Sequence, residues 1–237
     1  MDFNAWRRRR ISEPAYRWAR NALPAMSATE REAIEAGDTW WDADLFTGNP
    51  DWRKLLDVPA AALTPDEQRF IDGPVARLCA MLDEWDITWN RRDLPPAVWA
   101  FLKAERFFGM IIPRRYGGLG FSPYAHSEVV RRISAYSITA GVTVMVPNSL
   151  GPGELLMQFG TPAQRDYWLP RLADGREVPC FGLTSPEAGS DAASMLDTGV
   201  VCRQVVDGRE LIGIRLNWHK RYITLGPVAT VLGLAFK

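Results

Sequence analysis

Residues 181–191, Phe-Gly-Leu-Thr-Ser-Pro-Glu-Ala-Gly-Ser-Asp, stand where helix-forming sequence gives way to strand-forming sequence. On the N-terminal side the punctuation consists of helix starts and stops. Thr64-Pro65-Asp66-Glu67 places a hydroxyl at the N-cap, a proline at the first helical position and a carboxylate three residues on, which together satisfy the free amides of a first turn. From there Ile71, Val75, Leu78, Leu82 and Trp85 recur at four- and three-residue steps, a stripe expected to face a core. Ser122-Pro123 opens a helix expected through Tyr136, and Thr161-Pro162-Ala163-Gln164 another through about Ala173. Pro95-Pro96 opens a shorter one across Val98, Phe101 and Leu102. Gly160 and Gly175 are expected left-handed stops. Residues 113–123, "PRRYGGLGFSP", are too rich in Gly and Pro for a helix interior and are expected to form an ordered loop.

On the C-terminal side the period changes. Val200, Val201, Val205 and Val206 lead to Asp207-Gly208, followed by Leu211, Ile212 and Ile214, the pattern of a hairpin with a two-residue turn that accepts positive φ. A second strand pair is expected from Tyr222–Leu225 and Val228–Phe236, with Gly226-Pro227 between them. The fold class is therefore α+β: an all-α N-terminal domain followed by the start of an antiparallel, barrel-like β-domain. The expected divisions are an extension over 1–63, a helical domain over 64–175 and a partial β-domain over 176–237. The sequence stops at Lys237 directly after "ATVLGLAF", which reads as a buried strand, so the expectation is the N-terminal part of a longer protein.

Composition excludes several function classes. Hydrophobic residues make up 47% and charged residues 24%, which is the makeup of a globular chain and not a disordered one. The 28 basic and 28 acidic side chains cancel, leaving no global electrostatic case for nucleic acid. Cys79, Cys180 and Cys202 lie far apart without a CxxC pair, which points to a reducing compartment and to neither zinc nor a disulfide framework. The isolated His126 and His219 give no metal site or triad, and Gly189-Ser190-Asp191 is not a GxSxG elbow. The N-terminal "MDFNAWRRRR" lacks the apolar core of a secretory signal, so a cytoplasmic location is expected. Arg7, Arg8, Arg9 and Arg10, with Trp6, Ile11, Tyr16 and Trp18 nearby, read either as a solvated arm or as a basic amphipathic segment resting on anionic lipid at the inner face of the membrane. Each arginine gathered at such a surface contributes about 1 kcal/mol.

The junction itself admits two readings. Its Thr, Ser, Gly and Pro are the residues of a solvated turn. They also supply hydroxyl and freed amide donors of the kind that an electron-accepting ring needs along the edge where negative charge gathers on reduction. Gly189 allows a ligand close to the backbone, and successive turn amides can hold a pyrophosphate. Lys220-Arg221-Tyr222-Ile223-Thr224 puts an aromatic ring and a hydroxyl two residues apart, on one face if the segment is a strand.

Taken together and in order, these stretches resemble the acyl-CoA dehydrogenase family, in particular the bacterial fatty acyl-CoA dehydrogenases of β-oxidation. The family pattern "P..YGG.G", "LT.P.AGSD" and "K.WIT" reads here as Pro113 through Tyr116-Gly117-Gly118-Leu119-Gly120, Leu183-Thr184-Ser185-Pro186 through Ala188-Gly189-Ser190-Asp191, and Lys220 through Thr224. "NSLG" at 148–151 and "FGTPAQ" with "YWLPRLADG" at 159–175 also match, so the resemblance covers roughly 90–237. It implies FAD as cofactor, with Phe181, Leu183, Thr184, Gly189, Ser190, Tyr222, Ile223 and Thr224 as cofactor-binding residues. Thr184 would donate to the flavin ring, Ser190 would lie near the pyrophosphate and the thioester end of the substrate, Tyr222 would cover the flavin and Thr224 would approach N5.

Two departures stand out: Ser185, with Glu187 two residues on, where the family usually has Glu and then Gly, and Tyr222 where it has Trp. Tyrosine keeps a flat face for stacking. The implied activity is oxidation of a fatty acyl-CoA to the trans-2-enoyl-CoA, with electrons leaving through an electron-transfer flavoprotein and a homo-oligomer as the intact form. An acyl-CoA oxidase, or a helical interaction module that kept the fold without the chemistry, are the alternatives. The family's glutamate base lies in a C-terminal helical bundle that residues 1–237 do not reach. No residue here is assigned as catalytic, and these residues alone are expected to bind FAD poorly and catalyse nothing.

Overall fold

Pro14 has no amide to donate and crowds the carbonyls of the turn before it. The first helix, α1, answers with a wider turn: in the computed structural model it runs through Phe3–Arg7, a π-type turn Arg8–Ser12 and Glu13–Ala22, and the Glu13 amide reaches back to the Arg8 carbonyl. The structure describes residues 3–23, 26, 28–37, 39–149 and 151–237. They divide into two compact units, Met1–Asp57 and Val58–Lys237.

The first unit continues with α2 (Ala28–Glu35), α3 (Asp42–Leu45) and α4 (Trp52–Leu56). Asp51 caps α4 by accepting from the Arg53 amide, and its own carbonyl accepts from the Trp41 indole at 2.7 Å. The rings of Trp41 and Trp52 lie 5.0 Å apart, while Phe46 is exposed.

The second unit opens with α5, which runs through Pro65–Phe70, a π turn Ile71–Val75 around Pro74, and Ala76–Met81. Thr64 caps it as the sequence indicates. The Glu67 carboxylate then does double duty, accepting from the Thr64 amide and, 55 residues away, from the Ser122 amide, each at 2.7 Å. Ile71, Val75 and Leu78 are buried as expected and Leu82, where the chain turns extended, still packs half-buried against the same core; the stripe fails only at Trp85, which is exposed against Trp89 while Ile87 takes the inward position. A π turn over Asp86–Arg91 follows.

The remaining helices are α6 (Pro96–Ala104), α7 (Pro123–Ser134), α8 (Ile138–Met145), α9 (Pro152–Phe159) and α10 (Pro162–Ala173). Their core holds Val98, Leu102, Phe107, Phe108, Met110, Val129, Ile133 and Val144. A smaller cluster of Ile112, Leu169, Leu172 and Ala173 seats α10. Gly175 adopts φ +71° as expected of a left-handed stop; Gly160 does not, with φ −64° and extended ψ, and ends α9 by letting the chain turn straight into the Thr161 cap.

The loop over 113–123 is ordered. The amides of Leu119, Gly120 and Phe121 donate to the carbonyls of Gly109, Ile112 and Met110 at 2.8–2.9 Å. A side chain at Gly118 would collide with the Ile112 carbonyl. Asn148, buried at the end of α8, donates to the carbonyls of Phe107 and Val144 and accepts from the Ile111 amide, which fixes the start of the same region.

The β-part contains β1 (Pro179–Gly182), β2 (Thr198–Val206), β3 (Arg209–Asn217) and β4 (Val231–Leu234). Strands β2 and β3 form the expected antiparallel hairpin, Thr198 opposite Asn217 and Val206 opposite Arg209, with Asp207 and Gly208 both at positive φ. The second expected pair does not form. Tyr222 and Leu225 have φ of +57° and +64°, which no strand accommodates, and β4 instead pairs in parallel with β1, Pro179 opposite Val231 and Gly182 opposite Leu234.

Candidate functional site

Strand β1 ends at Gly182, and the 183–190 turn leaves from that edge. A side chain at Gly182 would press on Leu232, Leu234 and the stem of Lys220, so the lysine lies across the strand end. Within the turn, the Ser185 amide donates to the Ala188 carbonyl at 3.0 Å and the Ala188 amide returns to Ser185 at 3.3 Å.

The turn is fastened to the 219–221 segment by a chain of contacts. The Lys220 ammonium donates to the Leu183 carbonyl at 3.0 Å, the Arg221 amide to the Thr184 carbonyl at 3.0 Å and the Arg221 guanidinium to the Pro186 carbonyl at 3.2 Å. Behind them Lys220 also pairs with Asp197 at 2.5 Å, and the other Asp197 oxygen accepts from the His219 amide at 2.7 Å. The side chains of this ion pair are 1% and 3% exposed. Lys220 and the His219 amide hold the Asp197 carboxyl below its ordinary value, against the opposing effect of burial.

The structure thus brings the two sequence stretches together through their backbones. Phe181 lies in β1, its ring close to Gly233 and, through Gly233, to Pro152 of α9. Leu183 and Thr184 are half-buried at the seam, and Ile223 is half-buried beyond it. Gly189 and Ser190 are exposed on the outer part of the turn, and a side chain at Gly189 would meet nothing within 4 Å. Tyr222 is 81% exposed with the Arg221 guanidinium 5.0 Å from its ring centre, and Thr224 is exposed. The sequence argument for Tyr222 and Thr224, alternation along a strand, is corrected: the segment is not extended, and the left-handed backbone at Tyr222 sets where its ring points.

The donor set suits a flat, polar-edged cofactor such as FAD. The hydroxyls of Thr184, Ser190 and Thr224 bond to no described residue, and the Ser185 hydroxyl is buried without a partner among the described residues. A buried hydroxyl left in that state is costly unless a ligand or water completes it. The nearby carboxylates are otherwise engaged or solvated: Asp191 accepts from the Ser194 hydroxyl at 2.5 Å, and Glu187 is exposed. Asp197 was not legible as part of this corner. Its only sequence signal is an acid next to a β-rich run, with its partner 23 residues away.

Residues 66–176 match the family described as acyl-CoA dehydrogenase, N-terminal domain. The human mitochondrial very long-chain specific acyl-CoA dehydrogenase is 27% identical over 180 residues, covering 75% of this chain and 27% of that protein. The chain therefore spans about a quarter of that relative's length. Among solved structures, the glutaryl-CoA dehydrogenase of Mycobacterium smegmatis superposes with a TM-score of 0.61 at 28% identity, covering 74% of this chain and 43% of the other. A chain in a structure described as the electron transferring flavoprotein of Acidaminococcus fermentans superposes with a TM-score of 0.57 at 26% identity, covering 72% and 43%. Residues 66–176 thus carry the N-terminal domain of the acyl-CoA dehydrogenase family, and the likenesses of the longer stretch, helical domain and following β-part together, include dehydrogenases of that family.

Proposed function

We propose that the protein carrying this chain oxidises a fatty acyl-CoA to the trans-2-enoyl-CoA in β-oxidation, with FAD as its cofactor. The observation that carries this reading is the fastening of the 183–186 backbone to the buried Lys220 side chain and to Arg221, which holds two donor-bearing segments side by side on one corner. FAD, when bound, supplies a ring that accepts the substrate's β-hydrogen as hydride.

The residues present have the tasks of binding and orienting. Thr184, half-buried at the seam, would donate its hydroxyl to the bound ring, and Thr224 would supply a second hydroxyl to it. Ser190 and the amides of the outer turn receive the pyrophosphate, with Ser190 also beside the thioester end of the substrate. Phe181, Leu183 and Ile223 form apolar support, Gly189 leaves room above the turn, and Tyr222 offers its flat face. Glu187 and Asp191 are assigned no role as base. The proposed electron outlet is an electron-transfer flavoprotein, in agreement with the likeness to the Acidaminococcus chain. The intact form is proposed to be a homo-oligomer in the cytoplasm.

The test is spectroscopic. The intact protein should purify yellow, with flavin absorbance that bleaches when a fatty acyl-CoA is added without oxygen. A folded but colourless protein that takes up no FAD would reject the enzyme and favour a helical interaction module.

A further inference from the structure

Helix α1 separates its side chains by chemistry. Ile11, Ala15, Trp18, Ala19 and Ala22 recur at steps of four, three, one and three, which places them on one side of the rod. Arg10, Glu13, Arg17, Arg20 and Asn21 fill the opposite side, and Arg17 is bonded to Glu13 along it. Arg7, Arg8, Arg9 and Arg10 wrap the N-terminal turns, so the helix carries six arginines against one glutamate. Among the described residues of the first unit the apolar side is left open: Trp18 is 73% exposed and Ile11 55%, with Tyr16 on its flank at 68%. Beside the helix end lies an open groove of about 780 Å³, where Tyr16, Ala19, Leu23, Met26 and Ile34 are joined by the charged Arg20, Arg31 and Glu35.

We infer that α1 is a membrane-surface helix, which lies in the headgroup region of an anionic bilayer with Trp18 and Ile11 turned into the acyl boundary. The two halves of the helix fit two layers of one surface. Arginines gather at negative headgroups, and an apolar arc edged by Trp and Tyr partitions to the depth where amphipathic rings are most stable.

Other occupants fit less well. Nucleic acid would use the arginines and gain nothing from an exposed Trp18 and Ile11 on the far side. A second copy of the helix would meet Ala15, Ala19 and Ala22, which offer too little side chain for a knobs-into-holes seam. This inference does not rest on the flavin chemistry, so failure of the bleaching test leaves it standing.

The experiment is sedimentation of the intact protein with phosphatidylcholine vesicles, with and without phosphatidylglycerol, at low and high salt. Binding to the anionic vesicles should exceed binding to the neutral ones by at least about tenfold and should weaken as salt rises. Replacing Arg7, Arg8, Arg9 and Arg10 with Gln should lower anionic-vesicle binding at least about tenfold. The variant Ile11→Ser with Trp18→Ser should also lose binding although every charge is kept. Arg209→Gln with Arg215→Gln, on the exposed hairpin, should change nothing.

Equal sedimentation with both vesicle types, or none with either, would overturn the inference on the parent protein alone, before any variant is judged. Duplex DNA held as tightly as the anionic vesicles, with the Ile11/Trp18 variant unimpaired on both, would overturn it in favour of a nucleic-acid arm.

Discussion

The ammonium of Lys220 stands 2.5 Å from the Asp197 carboxylate and 3.0 Å from the Leu183 carbonyl, so one buried cation ties the 183–186 turn to the strand that follows it. Removing one member of such a pair leaves the other charge buried without its counterpart. Asp197→Asn at neutral pH is expected to lower Tm by on the order of 10 °C. The sign with pH follows from the depressed native value of Asp197. The unfolded chain takes up that proton more readily, so the stabilisation is complete above the ordinary carboxylate range and is lost as pH falls through the lower native value. The parent should therefore lose part of its stability on acidification that the Asn variant lacks, and thermal melts across acid pH check both points.

Thr184→Val and Thr224→Val test the flavin reading without disturbing the core, since neither hydroxyl bonds to the described protein. Loss of one hydrogen bond to a charged ring edge is expected to weaken FAD binding roughly tenfold or to shift the flavin potential, with Tm unchanged. Equilibrium dialysis and redox titration of the intact protein measure the two effects. No change in either variant would remove both hydroxyls from the site.

Glu67 joins the start of α5 to the start of α7. Burial alone would raise its carboxyl, but the amides of Ser122 and Thr64 outweigh it and the net value is lowered. Glu67→Ala leaves both amides without their acceptor and is expected to cost about 2 kcal/mol. The loss should be fullest above the ordinary Glu range and fade below it, a trend that urea melts at two pH values can follow.

Asn148→Leu keeps approximate size and removes three hydrogen bonds, leaving the Phe107 and Val144 carbonyls and the Ile111 amide unpaired. A loss of about 2–4 kcal/mol is expected from denaturant unfolding. A near-neutral result would mean that water or a shifted backbone replaces the side chain.

Local chemistry made half of this fold legible and distance hid the rest. Thr64, Ser122 and Thr161 each announce a helix because the cap and the amides it serves lie within three residues, and all three side chains accept the expected bonds. The α8 sequence, Ile-Thr-Ala-Gly-Val-Thr-Val-Met, is β-branched enough to hide a helix that packing on α7 sustains. The partner of β4 could not be read from its neighbours in sequence, because β1 lies more than 40 residues upstream. At the candidate site the residue types were legible and their arrangement was not: Tyr222 owes its placement to a left-handed backbone, which the amino-acid sequence of a strand-like run does not reveal.

The parallel register of β1 and β4 has a consequence for how the protein is made. Val178 meets Thr230 across 52 residues of chain, and everything between them, hairpin and 183–190 turn included, is enclosed by that one closure. Closing so long a span costs entropy before the strands repay it, which makes this corner slow to assemble. On the ribosome, β1 waits for its neighbour until Val231–Leu234 has emerged, so the helices take shape first and the corner only afterwards.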